Sequence, residues 1–235
     1  AVRRVISAMT AALQEWISTA PVLVVGLIAS FAASLGTGLG AVPVLGITSI
    51  RPRTQDLLMS TAAGIMLAAT AYSLVMPGIT EAQRFFEGPV FSTAIVGASI
   101  LLGAWFILFI HGRLPHEHLV KGRDTAADPA GFRRVWLFVI ALTLHNFPEG
   151  LSVGVGFGGG NVENGLTLTT AIFLQRLPEG FVVALALLGQ GYGRGMAVAI
   201  ACGTGLVETV GGLVGATAIS LADAVLPFGL GAAAG

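Results

Sequence analysis

The run Val135–Gly156 reads VWLFVIALTLHNFPEGLSVGVG. It is long and apolar enough to cross a hydrocarbon core, which takes about 20 mostly apolar residues, yet its middle carries His145, Asn146, Pro148 and Glu149. Five more stretches share that length and apolarity: Ala20–Gly46, Gln55–Met76, Val90–Ile110, Leu166–Leu188 and Gly195–Ser220. A seventh begins at Val225 and stops at Gly235. None shows the two-residue alternation of a transmembrane barrel, and all are too long for core strands. The reading is an all-α membrane protein, a polytopic bundle with six complete spans and the start of a seventh, in a single domain over 1–235. Composition agrees. Of 235 residues, 54% are apolar and only 10% charged, against roughly 25% charged in an average soluble domain. Twelve Lys and Arg balance twelve Asp and Glu, so no nucleic acid or other polyanion is implied as partner. The partner implied is the lipid bilayer. The single cysteine, Cys202, excludes a disulfide framework and a Cys-based zinc finger; it is expected to be an ordinary buried small residue.

The punctuation between spans is read from turn formers. Arg51-Pro52-Arg53 ends the first span, Pro77-Gly78 the second and Gly158-Gly159-Gly160-Asn161 the fourth. The loops after spans one, three and five hold Arg51, Arg53, Arg113, Lys121, Arg123, Arg133, Arg134 and Arg194, whereas those after spans two, four and six hold only Arg84. The positive-inside rule then makes the first set cytoplasmic, including a loop over 111–134, and places the N-terminus outside. Arg3 and Arg4 run against that placement. Trp16 and Trp136, near span ends, read as interfacial anchors. The chain opens on Ala and closes within an apolar run, so truncation at one or both ends is expected.

A charge at mid-span costs about 2.5–3.5 kcal/mol on insertion scales. Five such titratable side chains sit there: His145 and Glu149 in span four, Arg176 and Glu179 in span five, Glu208 in span six. His145 and Glu149 are four apart and share a helix face. The hexapeptides His145-Asn146-Phe147-Pro148-Glu149-Gly150 and Gln175-Arg176-Leu177-Pro178-Glu179-Gly180 repeat a Pro-Glu-Gly frame on helices of opposite direction. That pattern predicts paired broken helices meeting at a midplane site. Each proline leaves a carbonyl without its N–H, and the glycines permit close helix approach or a local bend. Imidazole, carboxylate and amide groups without thiolate suit a borderline divalent ion that must also be released. His145, Glu149, Gln175 and Glu179 are the candidate ligands for Zn2+, with Cd2+, Fe2+ or Mn2+ as substitutes.

These motifs, with Gly205-Leu206-Val207-Glu208, Gly38-Leu39-Gly40-Ala41, Gln55-Asp56 and Ala62–Ala68, resemble the ZIP family of divalent-metal transporters, in its bacterial GufA-like branch. The resemblance spans nearly the whole chain. It implies eight spans in a full-length member, a bacterial inner-membrane location and Zn2+ transport toward the cytoplasm. It also implies an elevator motion of spans one, four, five and six against a scaffold of two, three, seven and eight. His145, Glu149, Gln175 and Glu179 match the primary metal position; Asn146, Glu149, Glu179 and Glu208 match an adjacent second one. Met66 and Ser73 would line the path. At position 176, where relatives commonly carry a ligating Asp or Asn, this chain has Arg176, which cannot ligate a cation. The charges of Glu149, Glu179, Glu208 and Arg176 sum to −2, which one divalent ion neutralises, so Arg176 is expected to stand in for a second metal and to pair with Glu208 or Glu179.

His111, His116, Glu117 and His118, in the 111–134 loop, would serve as a cytoplasmic metal relay or be ordinary solvated side chains. Gly36-x-x-x-Gly40 and Gly211-x-x-x-Gly215 mark close contacts, within one chain or between copies in a homodimer. Two other functions fit the same polar residues. An intramembrane metal hydrolase would need an acidified water and a general base, but no His-Glu-x-x-His is present. A proton- or sodium-coupled carrier would use the carboxylates alone, and His145 argues for a softer ion. Transport, not catalysis, is the expected activity.

Overall fold

The computed structural model describes residues 15–47, 49–113, 129–221 and 226–235. After a helical turn over 15–19, eight α-helices follow. These are α1 (Val22–Ala41), α2 (Pro52–Ala69), α3 (Met76–Phe85), α4 (Pro89–Arg113), α5 (Pro129–Gly156), α6 (Val162–Gly189), α7 (Arg194–Leu221) and α8 (Leu226–Ala234). Among the described residues six segments are long and apolar enough to cross a membrane, and they coincide with the six expected spans. No strand occurs among the described residues.

Local chemistry sets several ends. Pro52 opens α2 at a position where the missing N–H is not needed. Gly160 takes a φ of +74° beside Asn161, whose Oδ1 then accepts the Asn164 N–H at 3.0 Å and caps α6. The fifth span therefore starts at Val162, ahead of the expected Leu166.

Three expectations are corrected. Pro77-Gly78 does not end the second span: α2 passes through a π-helical segment, Thr70–Val75, straight into α3, which has Pro77 in its first turn. Pro77 has no N–H to give the turn before it, so one bond is lost there while the ladder continues on both sides. The helices bearing Pro148 and Pro178 are likewise unbroken, each proline lying inside a 28-residue α-helix. The ladder gives up one bond and continues on both sides. Cys202 is exposed. The buried face of α7 runs through Ala197, Ala201, Thr204, Gly205 and Glu208, and the next residue after Ala201 is turned about 100° away from it.

The helices form two groups. Helices α1, α5, α6 and α7 pack on one another, with α7 lying along both α5 and α1, and α1 along α6. Span two (α2, the π segment and α3) forms a second group with α4 and α8, joined to the first by α2 lying along α6 and by α8 against α5. Within the four-helix group two apolar layers are stacked. One contains Ala41, Val44, Val139, Phe181, Leu187 and Ala201. The other contains Val25, Ala29, Ala33, Val153, Phe157 and Ile172. At one end Arg194 Nη1 donates to the Leu45 carbonyl at 2.8 Å. Nearby, Trp136 Nε1 donates to Tyr192 Oη at 2.9 Å.

Candidate metal centre

Between those layers lies a polar one. On α5, residues 145–149 fall between Val139 of the first layer and Val153 of the second; on α6, residues 175–179 fall between Ile172 and Phe181. Gln175 and Arg176 are at the middle of α6, and Glu208 at the middle of α7.

Glycine brings these helices close enough to share side chains. A Cβ on Gly150 would overlap the Glu208 carbonyl, and one on Gly211 the Phe147 carbonyl. A Cβ on Gly180 would overlap the Thr37 carbonyl, and one on Gly36 would lie 2.9 Å from Arg176 Cβ. The Gly36/Gly40 and Gly211/Gly215 pairs both face backbone of neighbouring helices in this same chain. They are seams inside the bundle, where backbone contact gives packing that lipid cannot supply. The glycine of each Pro-Glu-Gly frame thus admits the next helix and sets the adjoining glutamate against it.

The centre of the layer is the guanidinium of Arg176, which is 0% exposed. Its Nη1 donates to Glu179 Oε2 at 2.7 Å and to Asn146 Oδ1 at 2.5 Å, and its Nε donates to Glu208 Oε2 at 3.1 Å. Its Nη2 pairs with Glu149 Oε2. Asn146 is held from its other end, its Nδ2 donating to the Thr204 carbonyl at 2.8 Å. The three carboxylates therefore converge on one group, and that group is a cation of the protein itself. A buried charge with this many charge-assisted partners is tolerated where a bare one is not.

His145 Nε2 lies 3.4 Å from Glu149 Oε1, as the four-residue spacing requires, with its side chain 47% exposed. Gln175 is buried beside them, its amide against the Glu149 carboxylate. Among the described residues no three His, Cys, Asp or Glu side chains come together closely enough to hold one ion, because the guanidinium stands between the carboxylates. Met66 is half-buried on α2, and Ser73 is buried in the π segment. The backbone of His111 closes α4, and its side chain lies outside the described residues, as do His116, Glu117 and His118 entirely.

The sequence reading passed over Thr37. It is buried on α1 with an unpaired Oγ1, against Gly180 and Gly205. Its signal is a hydroxyl set between Gly36 and Gly38, at helical spacing from Ser30 and Ser34. Also unanticipated is a cavity of about 260 Å³ lined by Tyr72, Thr80, Glu81, Asn161 and Asn164 at the α5–α6 turn. Its apolar lining residues Val155, Leu226 and Leu230 belong to a third hydrophobic cluster with Leu74, Leu168 and Ile219. Val155 is six residues beyond Glu149, roughly 9 Å along the helix axis.

Comparison with known proteins places these features in a family. The model of the ZIP Zinc transporter family matches residues 111–235. The chain is 42% identical to the zinc transporter GufA of Myxococcus xanthus, over 89% of this chain and 82% of that protein. It is 40% identical to the zinc transporter ZIPB of Bordetella bronchiseptica, over 90% of this chain and 67% of that one. With the zinc transporter ZIP11 of Xenopus tropicalis it shares 28% identity, over 85% and 81%.

Proposed function

The chain belongs to the ZIP family of zinc transporters, and from that membership we propose that it carries Zn2+ across the bilayer toward the cytoplasm through the polar layer of α5, α6 and α7. One observation supports this most directly: Glu149, Glu179 and Glu208, from three helices, are drawn to a single buried point between two apolar layers. Such a concentration of charge at mid-span is costly unless it serves a passing ion.

The primary cargo position is formed by His145, Glu149, Gln175 and Glu179. Glu149 and Glu179 supply charge, and His145 and Gln175 supply softer or weaker donors. That mixture suits Zn2+ and permits release, and Cd2+, Fe2+ and Mn2+ are candidate alternatives. Asn146 and Glu208, with Glu149 and Glu179 shared, form the adjoining position, which Arg176 fills in place of a second metal. With Arg176 counted, the layer carries −2, so one divalent ion brings it to neutrality. The cavity at Glu81, Asn161 and Asn164 lies at the end remote from the arginine-rich loops and is a fitting extracytoplasmic mouth. Met66 and Ser73 line the way from it.

The division into two helix groups favours an elevator motion, in which α1, α5, α6 and α7 slide as one body against α2, α3, α4 and α8. No nucleotide-binding loop is present, so the ion gradient supplies the drive. The test is uptake of Zn2+ into liposomes containing the protein, in competition with Cd2+, Mn2+ and Fe2+. Saturable uptake, abolished in Glu149→Ala, is expected. Absence of uptake above protein-free liposomes would overturn the proposal.

A further inference from the structure

The transport reading leaves a difficulty at its own centre: the oxygens that the cargo needs are already taken. Arg176 is ion-paired to Glu149 and Glu179, two of the four groups assigned to the primary position. It is fixed in charge, since a guanidinium does not deprotonate in a protein. It is also anchored from a second side. Glu208 and Asn146 are both fully buried and both bonded to it, and Asn146 is tied to the Thr204 carbonyl. The cluster is thus polarised. Its inner wall, Glu208 and Asn146, is fully buried; its outer rim reaches the surface at His145, 47% exposed, with the Glu149 carboxylate buried beneath it. The Gln175 amide, near the rim, rests only against the Glu149 carboxylate, and Glu208 Oε1, on the inner wall, accepts no hydrogen bond.

We propose that Arg176 is a tethered competitor of the cargo: a divalent ion enters the primary position only as the guanidinium withdraws from Glu149 and Glu179 onto Glu208 and Asn146, and the returning guanidinium helps expel it. The inference rests on the transport reading above and concerns how that same site is regulated. The geometry favours it in three ways. The inner wall can keep the guanidinium while it lets go of the rim, because Glu208 has a free oxygen to offer a second N–H. The rim can accept an ion, because His145 is accessible and the Gln175 amide leans on Glu149, itself one of the groups assigned to the ion. The charges balance at one ion, since Glu149 and Glu179 alone neutralise a divalent cation once Arg176 and Glu208 neutralise each other.

The consequence is quantitative. An ion that can bind only to the withdrawn form has its apparent affinity reduced by the fraction of time the guanidinium is withdrawn. Removing the competitor must therefore tighten binding and slow release. The experiment is equilibrium binding of Zn2+ to the purified full chain, together with KM and maximal rate of uptake into liposomes. The variants are Arg176→Gln and the double variant Arg176→Gln/Glu208→Gln. The double variant removes one charge of each sign, keeps the total at −2 and is spared the excess negative charge that could unfold the single one. Expected is a Zn2+ dissociation constant at least about tenfold lower than wild type, a difference of about 1.4 kcal/mol, with KM and maximal rate both reduced. Arg176→Lys keeps a cation but loses the fork that grips several carboxylates at once, and should fall between. Folded variants that bind Zn2+ no more tightly than wild type would overturn the inference and make Arg176 a structural clamp. Wild-type protein without saturable uptake would instead overturn the transport reading beneath it.

Discussion

The main-chain carbonyl of Glu208 occupies the space in which a Cβ on Gly150 would lie. The residue after the α5 glutamate therefore decides how near the α7 glutamate can come. Gly150→Ala should force the two helices apart, at a cost of about 1–3 kcal/mol for overpacking, and should lower Zn2+ uptake with it. Gly203, on α7 with open space around its Cβ position, is the control: Gly203→Ala should leave uptake intact and raise stability by up to roughly 1 kcal/mol. Thermal unfolding of both variants checks the contrast. Equal melting temperatures would contradict it.

Glu149→Ala and Glu179→Ala should each abolish uptake, for each removes a charged ligand and a partner of the buried guanidinium. Losing one partner of a buried ion pair costs about 3–5 kcal/mol, so part of the effect will be instability. Glu149→Gln retains shape and a hydrogen-bonding oxygen. It should be better folded and equally inactive, which size-exclusion profiles and uptake measured side by side will establish.

His145 and Gln175 set the softness of the cargo position. Loss of imidazole leaves oxygen ligands only, which favour harder ions. His145→Ala should shift the competition series from Zn2+ and Cd2+ toward Mn2+. Gln175→Ala should change the order among ions with a smaller loss of rate. A series unchanged from wild type in both variants would remove these residues from the site.

Trp136 bonds to Tyr192 across the start of α5 and the turn between α6 and α7. Phe132 stacks on the same tyrosine ring, with 6.4 Å between centroids. Trp136→Phe keeps the ring and deletes the donor, so a loss of about 0.5–1.5 kcal/mol is expected, visible as a lower unfolding temperature without change in ion preference.

Much of this architecture is legible in the chain. The six spans follow from apolar length, and the His145–Glu149 contact follows from helical spacing. Pro77 and Cys202 mislead for a common reason: a residue type carries an average preference, and the neighbouring turn or the face of the helix decides the outcome. The proline follows a π segment and falls in a first turn, and the cysteine falls one step round from Ala201. Charge arithmetic anticipates that Arg176 neutralises part of the layer. It does not reveal that one guanidinium reaches Glu149, Glu179, Glu208 and Asn146 together. That depends on how closely the helix axes approach, and hence on which carbonyl each glycine meets. The 260 Å³ cavity is hidden for the same reason, since its lining comes from three stretches of chain, 72–81, 155–164 and 226–230.

The π-helical segment Thr70–Val75 governs the rotational phase of the whole second span. Its wider turns, bonded from i to i+5, hold a surplus residue within an otherwise ordinary helix. Wound as ordinary α-helix instead, the same six residues would swivel everything downstream by about 100° relative to Met66, the rotation that one surplus residue adds. Thr80 and Glu81 would then leave the cavity wall, and Gly78 would lose its seat against Leu230. Loop residues elsewhere can be gained or lost without altering this register. Here the length of one turn is as strictly prescribed as the identity of a ligand.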